Sequence, residues 1–520
     1  MGGRTRCSAL FILLMASAVW PRDGVPARAE SAAAPRAAVY HVAVTGDDAN
    51  PGTASQPWRT LGKAADTLTA GDTVLIGPGT YAERLTPAHS GTPGNYITFA
   101  AAPGAEAVLD GATVDVPEWG ALVDLSLQSW IRVSGLRVIN TVSNVHNPGI
   151  LADTSSHILI DGNRVSNTTD SGIAAWNSTD VVVERNEVHD VCTGGFNESI
   201  TIGNSSWCEV RFNHVHHGAK EGICLKDGAT FTRAYGNRVH HTGAVCYYVD
   251  AQARPTSDIE VFGNVAHDGV ENGFSIASEV GGLLERVKVY NNLAWRNGWV
   301  GIHISDCCVA DHPMSDIRVV NNTVVGNGTN DTGWGGGIAH DNPQAAGVVI
   351  RNNLCSQNLS FQIAVAPTVP AGAWVADHNL IDGFRDSEGE IWGDDPRTGD
   401  PLFLLASAGD FHTGPGSPAA GGASSTDLPV ADFDGVPRPA GAGPDIGAWE
   451  TLTALPARGD LDGDDRVTAV DRLALQLLNA GTLSALLAPC RFPSAADLDG
   501  NGTLDAADED ALARLLSGTP

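Results

Sequence analysis

The chain has 520 residues, with 60 Gly, only 3 Met and 42% hydrophobic residues, so it can bury a large core and must turn often, which excludes a bundle of long helices. Its 60 acidic residues against 31 basic ones give a formal charge of −29. That balance excludes nucleic acid and anionic membrane as partners, since both would be repelled, and disfavours a polyanionic substrate unless bound cations reverse the local field.

The first predicted element is a leader. Arg4 and Arg6 precede an apolar run from Ser8 to Trp20, and Ala27-Arg28-Ala29 supplies a small-x-small cleavage site. Residues 1–29 read as a secretory signal peptide, so a secreted, soluble, monomeric protein is expected. No later segment is apolar for long enough to span a bilayer. Cys7 belongs to the leader, and Cys192, Cys208, Cys224, Cys246, Cys307, Cys308, Cys355 and Cys490 follow it. Their spacing fits no zinc pattern; export permits disulfides, and buried thiols stacked in a repeat core fit as well.

Next comes "TLGKAADTLT", a short amphipathic helix that Thr60 can cap, and then the strand "DTVLIGPGTY". From residue 150 to 355 a phrase recurs in which Asn is followed two residues later by a small apolar residue. The asparagines are Asn163, Asn186, Asn213, Asn237, Asn264, Asn292, Asn322 and Asn353, at intervals of 23, 27, 24, 27, 28, 30 and 31. A fixed unit with loops of variable length marks a solenoid.

Each unit also holds a strand of period two, beginning at Gly149, Gly172, Ser199, Gly222, Cys246, Gly273, Gly301 and Gly337. Strands this short, with no long helices between them, predict an all-β parallel β-helix, with coils about 4.8 Å apart. The Asn column then becomes a ladder of side-chain bonds from coil to coil. The turn-rich stretch from Asp400 to Glu450 is expected to close the last coil.

The run "YHVAVTGDDANPGTASQPWRTLGKAADTLTAGDTVLIGPGTYAERL", residues 40–85, resembles the opening of secreted right-handed parallel β-helix proteins that include family-nine pectate lyases, and the run from Asp400 to Glu450 is similar to their end. The resemblance covers most of residues 39–451 and is specific for fold rather than reaction, since that group includes lyases, hydrolases and epimerases.

After a linker at residues 452–458 come two acidic loops within a predicted module of residues 459–518. Asp460, Asp462, Asp464, Thr468 and Asp471 occupy loop positions one, three, five, nine and twelve, and Asp497, Asp499, Asn501, Asp505 and Asp508 repeat them. Alternate oxygen ligands on a tight loop suit calcium, and each loop leads into an apolar helix, so a small α-helical calcium-loop domain is expected. The pair resembles a dockerin, which implies two Ca2+ ions and a cohesin partner. Asp465 stands where the turn glycine of that pattern would be.

Aligning the repeat strands by their first residue converts sequence into surface, because side chains alternate and coils stack in register. Second and fourth positions, such as Ile223 and Leu225, point inward. Third positions read Leu151, Ala174, Thr201, Cys224, Tyr248, Ser275, His303 and Ala339, and fifth positions read Asp153, Trp176, Gly203, Lys226, Asp250, Ala277, Ser305 and Asp341. Lys226 and Asp250 should therefore be neighbours on the outer face, with Tyr248 beside them, Glu198 and Glu221 at one margin, and Glu279 and His303 further along. A lysine held near bound cations loses its proton more readily than in water.

This arrangement is similar to β-helical polysaccharide lyases, in which calcium neutralises a uronate carboxylate and a lysine removes the C5 proton. The resemblance implies Lys226 as base, Glu198, Glu221 and Asp250 as groove calcium ligands, and Tyr248 or His303 at the leaving oxygen. Arg254 is the one arginine near enough to reach in, Trp176 offers a sugar platform, and Glu279 borders the groove. The dense aspartate motif of family-nine enzymes is missing. Other readings stay open: a cross-strand ion pair of no consequence for Lys226 and Asp250, a turn role for Asp227, packed turn histidines in "HVHHG" and "RVHHTG", a glycoside hydrolase using paired carboxylates such as Asp250 with Asp227, Glu221 or Glu279, and a non-catalytic glycan-binding surface.

Overall fold

The protein is described here from a computed structural model covering residues 37–308, 311–330, 332–455, 457–462, 466–479, 492–501 and 503–517. The predicted leader, Asp464 and Cys490 lie outside the described residues. Among the described residues, three parallel sheets run along the solenoid, with 14, 13 and 10 strands. One coil illustrates the path: Thr179–Glu184 joins the first sheet, Glu187–His189 the second and Ile200–Gly203 the third. Inward Val, Ile and Leu from all three, such as Val183, Val188 and Ile202, form one continuous core along the axis.

The corner between the first and second sheets takes two residues. The first is left-handed at Gly162, Arg185, Phe212, Gly236, Gly263, Asn291, Asn321 and Asn352, which explains why Gly or Asn so often holds it. The second is the ladder Asn. From Asn163 through Asn186, Asn213, Asn237, Asn264, Asn292, Asn322 and Asn353 to Asn379, each side-chain amide donates to the next Oδ1 at 2.9–3.1 Å. The predicted column is thus a buried ladder, extended by one rung.

Replacing Asn237 by Ala strips acceptors from the Asn213 backbone and side-chain amides, both at 2.9 Å, and a donor from Val210 O at 2.8 Å. Unsatisfied buried groups cost about 1–3 kcal/mol each. A loss of about 3 kcal/mol in chemical denaturation is expected for Asn237→Ala, and an unchanged midpoint would show the ladder to be dispensable.

At the N-terminal end, the helix Leu61–Thr67 covers the first coil with Leu61, Ala64 and Ala65, and Thr60 accepts from Lys63 N as its cap. The other end differs from expectation. The segment after Asp400 lies along the outer face of the second sheet, where Phe411 and Trp449 pack on Val265, Leu293 and Val325, and Ile446 packs on Leu354 and Leu380. The cause is visible in one outward column: Arg164, Glu187, His214 and Arg238 give way to Val265, Leu293, Thr323, Leu354 and Leu380. Those apolar rungs need a cover.

The tail has its own small core of Leu461, Ala474, Leu475, Ala496 and Leu512 between the helices Ala469–Asn479 and Ala506–Ser517. It meets the closing segment through Ser494 N on Asp410 at 3.1 Å and through Phe492 against His412. Among the described residues, Cys192, Cys208, Cys224, Cys246, Cys307, Cys308 and Cys355 are free thiols.

Candidate active site

The register of the third sheet is the one the spacing predicts. Lys226 pairs with Asp250 across one rung, Cys224 with Tyr248, Gly203 with Lys226, and Ser275 with His303. The outer face is not open, however: Lys226 is 5% exposed, Asp250 0% and Tyr248 9%. Asn197, Glu198, Glu279 and Cys307, from the connections flanking the strands, lie over it. Gly203 helps shape this roof. A Cβ there would meet the Trp176 ring at 2.1 Å, so its absence lets the half-buried indole lie along the column toward Lys226, whose Nζ is 5.5 Å from the ring centre.

Lys226 Nζ donates to Glu198 Oε1 at 2.7 Å and lies 3.4 Å from Asn197 Oδ1; Glu198 Oε2 accepts from the Thr201 hydroxyl at 2.8 Å. Burial alone would lower the Lys226 pKa, but the charge of Glu198 outweighs it and the net direction is upward. The expectation of an easily deprotonated lysine is therefore corrected for the resting state. Its ammonium is locked in a buried ion pair.

At Asp250 burial prevails and favours the neutral form instead. Its Oδ1 accepts from the Glu279 backbone N at 3.0 Å, while its buried Oδ2 meets no hydrogen-bond donor among the described residues. Burial, reinforced by the Glu279 charge, pushes its pKa up to about 7. Tyr248 donates to Glu279 Oε1 at 2.6 Å, and burial with that charge drives the phenol pKa far upward. Glu221 is raised by burial and then by Glu198.

Other predicted members lie apart. His303 is two rungs beyond the Tyr248 strand position and bonds Asp341 at 2.9 Å, so it does not join the Lys226 group. Arg254, 55% exposed at its side chain, is held by Asp227 at 2.6 Å rather than reaching inward, and Asp227 at φ 45 is a turn residue that also accepts from the backbone N of Ala253 and Arg254. Glu198, Glu221 and Asp250 are not among the described sets whose oxygens lie within 4.8 Å of one another. Lys226 takes the Glu198 oxygen they would need to share, so these residues do not fit a groove calcium ion.

Beside the cluster, over the preceding rungs, is a cleft of roughly 360 Å3 lined by Trp119, His146, Leu151, Asp170, Trp176 and Asn197, among others. Trp119 stacks on His146 at 3.9 Å, and Phe196 leans on His146 at 4.4 Å. Asn197 joins cleft and cluster, donating to Asp170 at 2.8 Å on one side and facing Lys226 on the other. Burial raises the pKa of Asp170. The sequence reading passed over Trp119, His146, Asp170 and Asn197, whose one signal was position: Asp170 and Asn197 stand just before third-sheet strands, as Glu198 does.

In the tail, Asp460, Asp462 and Asp471 converge within 4.8 Å, as do Asp497, Asp499 and Asp508. Asp471 Oδ1 accepts from the backbone N of Leu461 at 2.7 Å and Asp462 at 3.2 Å, and Asp508 Oδ1 treats Leu498 and Asp499 alike at 2.8 and 3.4 Å. Thr468 Oγ1 donates to Asp471 at 3.2 Å, Asn501 Oδ1 accepts from Thr503 N at 2.7 Å, and Asp505 Oδ1 accepts from Ala507 N at 2.7 Å.

Residues 40–358 match the family described as Pel9A-like, right handed beta helix region. The chain belongs to this Pel9A-like family. The crystal structure of pectate lyase Pel9A has the same fold as this Pel9A-like protein, with a TM-score of 0.50 and 17% identity over 80% of this chain and 96% of that one. A GH136 lacto-N-biosidase from Eubacterium ramulus aligns more loosely, at TM-score 0.43 and 14% identity over 68% of each chain. The uncharacterized protein YwoF of Bacillus subtilis (strain 168) is 37% identical over 128 residues, 24% of the Pel9A-like chain, which spans only 27% of that relative's length.

Proposed function

We propose that this chain is an exported, polysaccharide-degrading enzyme that cleaves a uronate-containing glycan by β-elimination. The carrying observation is the 2.7 Å hydrogen bond from Lys226 to Glu198, one rung from a carboxyl, Asp250, whose pKa is pushed up to about 7. Elimination needs a base for the C5 proton and an acid for the leaving O4. For Lys226 to act as the base, the resting ion pair with Glu198 opens as substrate enters and the ammonium releases its proton to water; the neutral amine then takes the C5 proton. The freed electron pair forms the C4–C5 double bond, the C4–O4 bond breaks, and protonated Asp250 gives its proton to the departing oxygen. Arg254 exchanges Asp227 for the uronate carboxylate, and Trp119 and Trp176 receive a sugar ring. Membership of the Pel9A-like family supports a carbohydrate substrate.

A hydrolase is favoured by one specific observation: Lys226 rests protonated, and Asp250 holds a proton near neutral pH beside the ion-paired carboxylate of Glu198. A screen of acidic and neutral polysaccharides, read by ultraviolet absorbance and reducing ends together, separates the readings. New absorbance that Lys226→Ala removes is the expected result. Reducing ends without absorbance, lost in Asp250→Asn, would move the assignment to hydrolysis, and saturable binding with no product would leave a glycan-binding surface protein.

We propose further that each tail loop binds one calcium ion through its converging aspartates and that the module docks to a cohesin domain; oxygen-only sets on tight loops suit this ion. Calorimetric titration should find two calcium sites, reduced to one by Asp508→Ala. A chelator should empty both and leave glycan cleavage intact, and loss of cleavage would point to a cation in the groove instead.

A further inference from the structure

We propose that Glu187, His214 and His216, on the outer face of the second sheet, form a binding site for a zinc-class transition-metal ion. The site is independent of the third-sheet cluster and of the tail. Glu187 pairs in register with His214, and His189 with His216 and then His240, on successive rungs. Two outward columns therefore bring a carboxylate and two imidazoles together, and one ligand atom from each lies within 4.8 Å of the others. His216 Nε2 is 3.6 Å from Glu187 Oε1. Two donors sharing a tetrahedral zinc at bond lengths near 2.0 Å stand about 3.3 Å apart, so small side-chain movements complete the geometry.

Two of the three ligands, Glu187 and His216, are oriented by further partners. Arg164 grips Glu187 chiefly through Nε on Oε2 at 2.8 Å, with a longer contact from Nη2 to Oε1 at 3.4 Å, and Oε1 is the oxygen that faces His216. His217 Nδ1 meets His216 Nδ1 at 2.9 Å, which leaves Nε2 for the ion. Outer partners of this kind are what fix ligands at metal sites. His214 Nε2 lies 2.9 Å from His240 Nε2, which makes His240 the candidate for a fourth ligand.

A purely structural role explains only half of the pattern. His189, His216, His240 and His267 stack along one column at centroid separations of 5.0, 5.3 and 4.7 Å, which accounts for that column as packing. His214 also leans on this stack, 4.5 Å from His216 and 5.1 Å from His240, and Glu187 is paired with Arg164; what packing does not require is that one donor atom from each of Glu187, His214 and His216 converge. Two imidazoles and a carboxylate select zinc, copper or nickel over calcium, in contrast to the all-oxygen tail loops.

The test is equilibrium dialysis of the full chain, with calcium in excess to saturate the tail, against Zn2+, Cu2+, Ni2+ and a calcium-only control. One saturable zinc ion per chain is expected, with affinity falling at least tenfold in His214→Gln and in His216→Gln while circular dichroism stays unchanged. Should those variants fail to fold, Glu187→Gln, which keeps an oxygen for Arg164, should still weaken zinc several-fold, and zinc should shift the His214 and His216 ring resonances of the unmodified protein. No saturable zinc binding, equal binding in the variants, or binding abolished by Cys307→Ser instead, which would move the ion to the Glu279, Cys307 and Cys308 group, would each overturn the proposal.

Discussion

Asp250→Asn is expected to abolish turnover and yet raise thermal stability at neutral and alkaline pH. The activity loss, about 10²–10⁴-fold in kcat/KM, follows from removing a positioned acid. The stability gain follows from burial. The Asp250 pKa rises from 3.8 to about 7 on folding, so the unfolded chain releases this proton first. Its contribution to stability is fully present below about pH 4, declines as pH rises, and is lost above about pH 7. The rise from 3.8 to about 7 corresponds to roughly 4 kcal/mol at most. Asn keeps the shape and removes the charge, so the variant should gain a few degrees in Tm at pH 8 and almost nothing at pH 4. Calorimetry at both pH values with initial rates checks this. Full activity in the variant would remove Asp250 from the chemistry, and a Tm gain equal at both pH values would refute its buried proton.

Lys226→Met should be the most destabilising single change on the third sheet. It leaves Glu198 buried without its counter-charge, and breaking such a pair from one side costs about 3–5 kcal/mol. The double variant Lys226→Met with Glu198→Gln removes both charges and should recover most of that loss, which a double-mutant cycle would measure as strong coupling. Activity separates the structural role from the chemical one. Lys226→Arg retains the positive charge but cannot give up a proton in a protein, so it should preserve most of the stability and lose turnover by about 10³-fold, within the range of acid–base effects. An active Arg variant would make Lys226 an electrostatic pillar rather than the base.

The two variants probe different layers of legibility. That Lys226 faces Asp250 was readable from the repeat, as were the Asn163-to-Asn353 ladder and the Thr60 cap. In a solenoid the neighbour of any strand residue is its counterpart one coil later, and side chains alternate, so spacing along the chain translates directly into contact across rungs. The convergence of Asp460 with Asp462 and Asp471, and of Asp497 with Asp499 and Asp508, was readable for a related reason, because their spacing is local.

The roof over the site was not readable. The sequence placed Glu198 and Glu279 beside the pair but not over it; with Asn197 they come from connections of unequal length, which have no register to follow, and together they cover Lys226 and Asp250, whose pKa values both rise for different causes. Arg254 looked free to reach inward until Asp227 was found holding it. The closing segment, expected at the end of the last coil, lies instead where the second sheet becomes apolar at Val265 and Leu293. Strand positions recur at a constant rise and so can be counted from the amino-acid order. Burial, ion pairing and the path of the long connections depend on contacts between segments with no common period, and only the folded arrangement decides them.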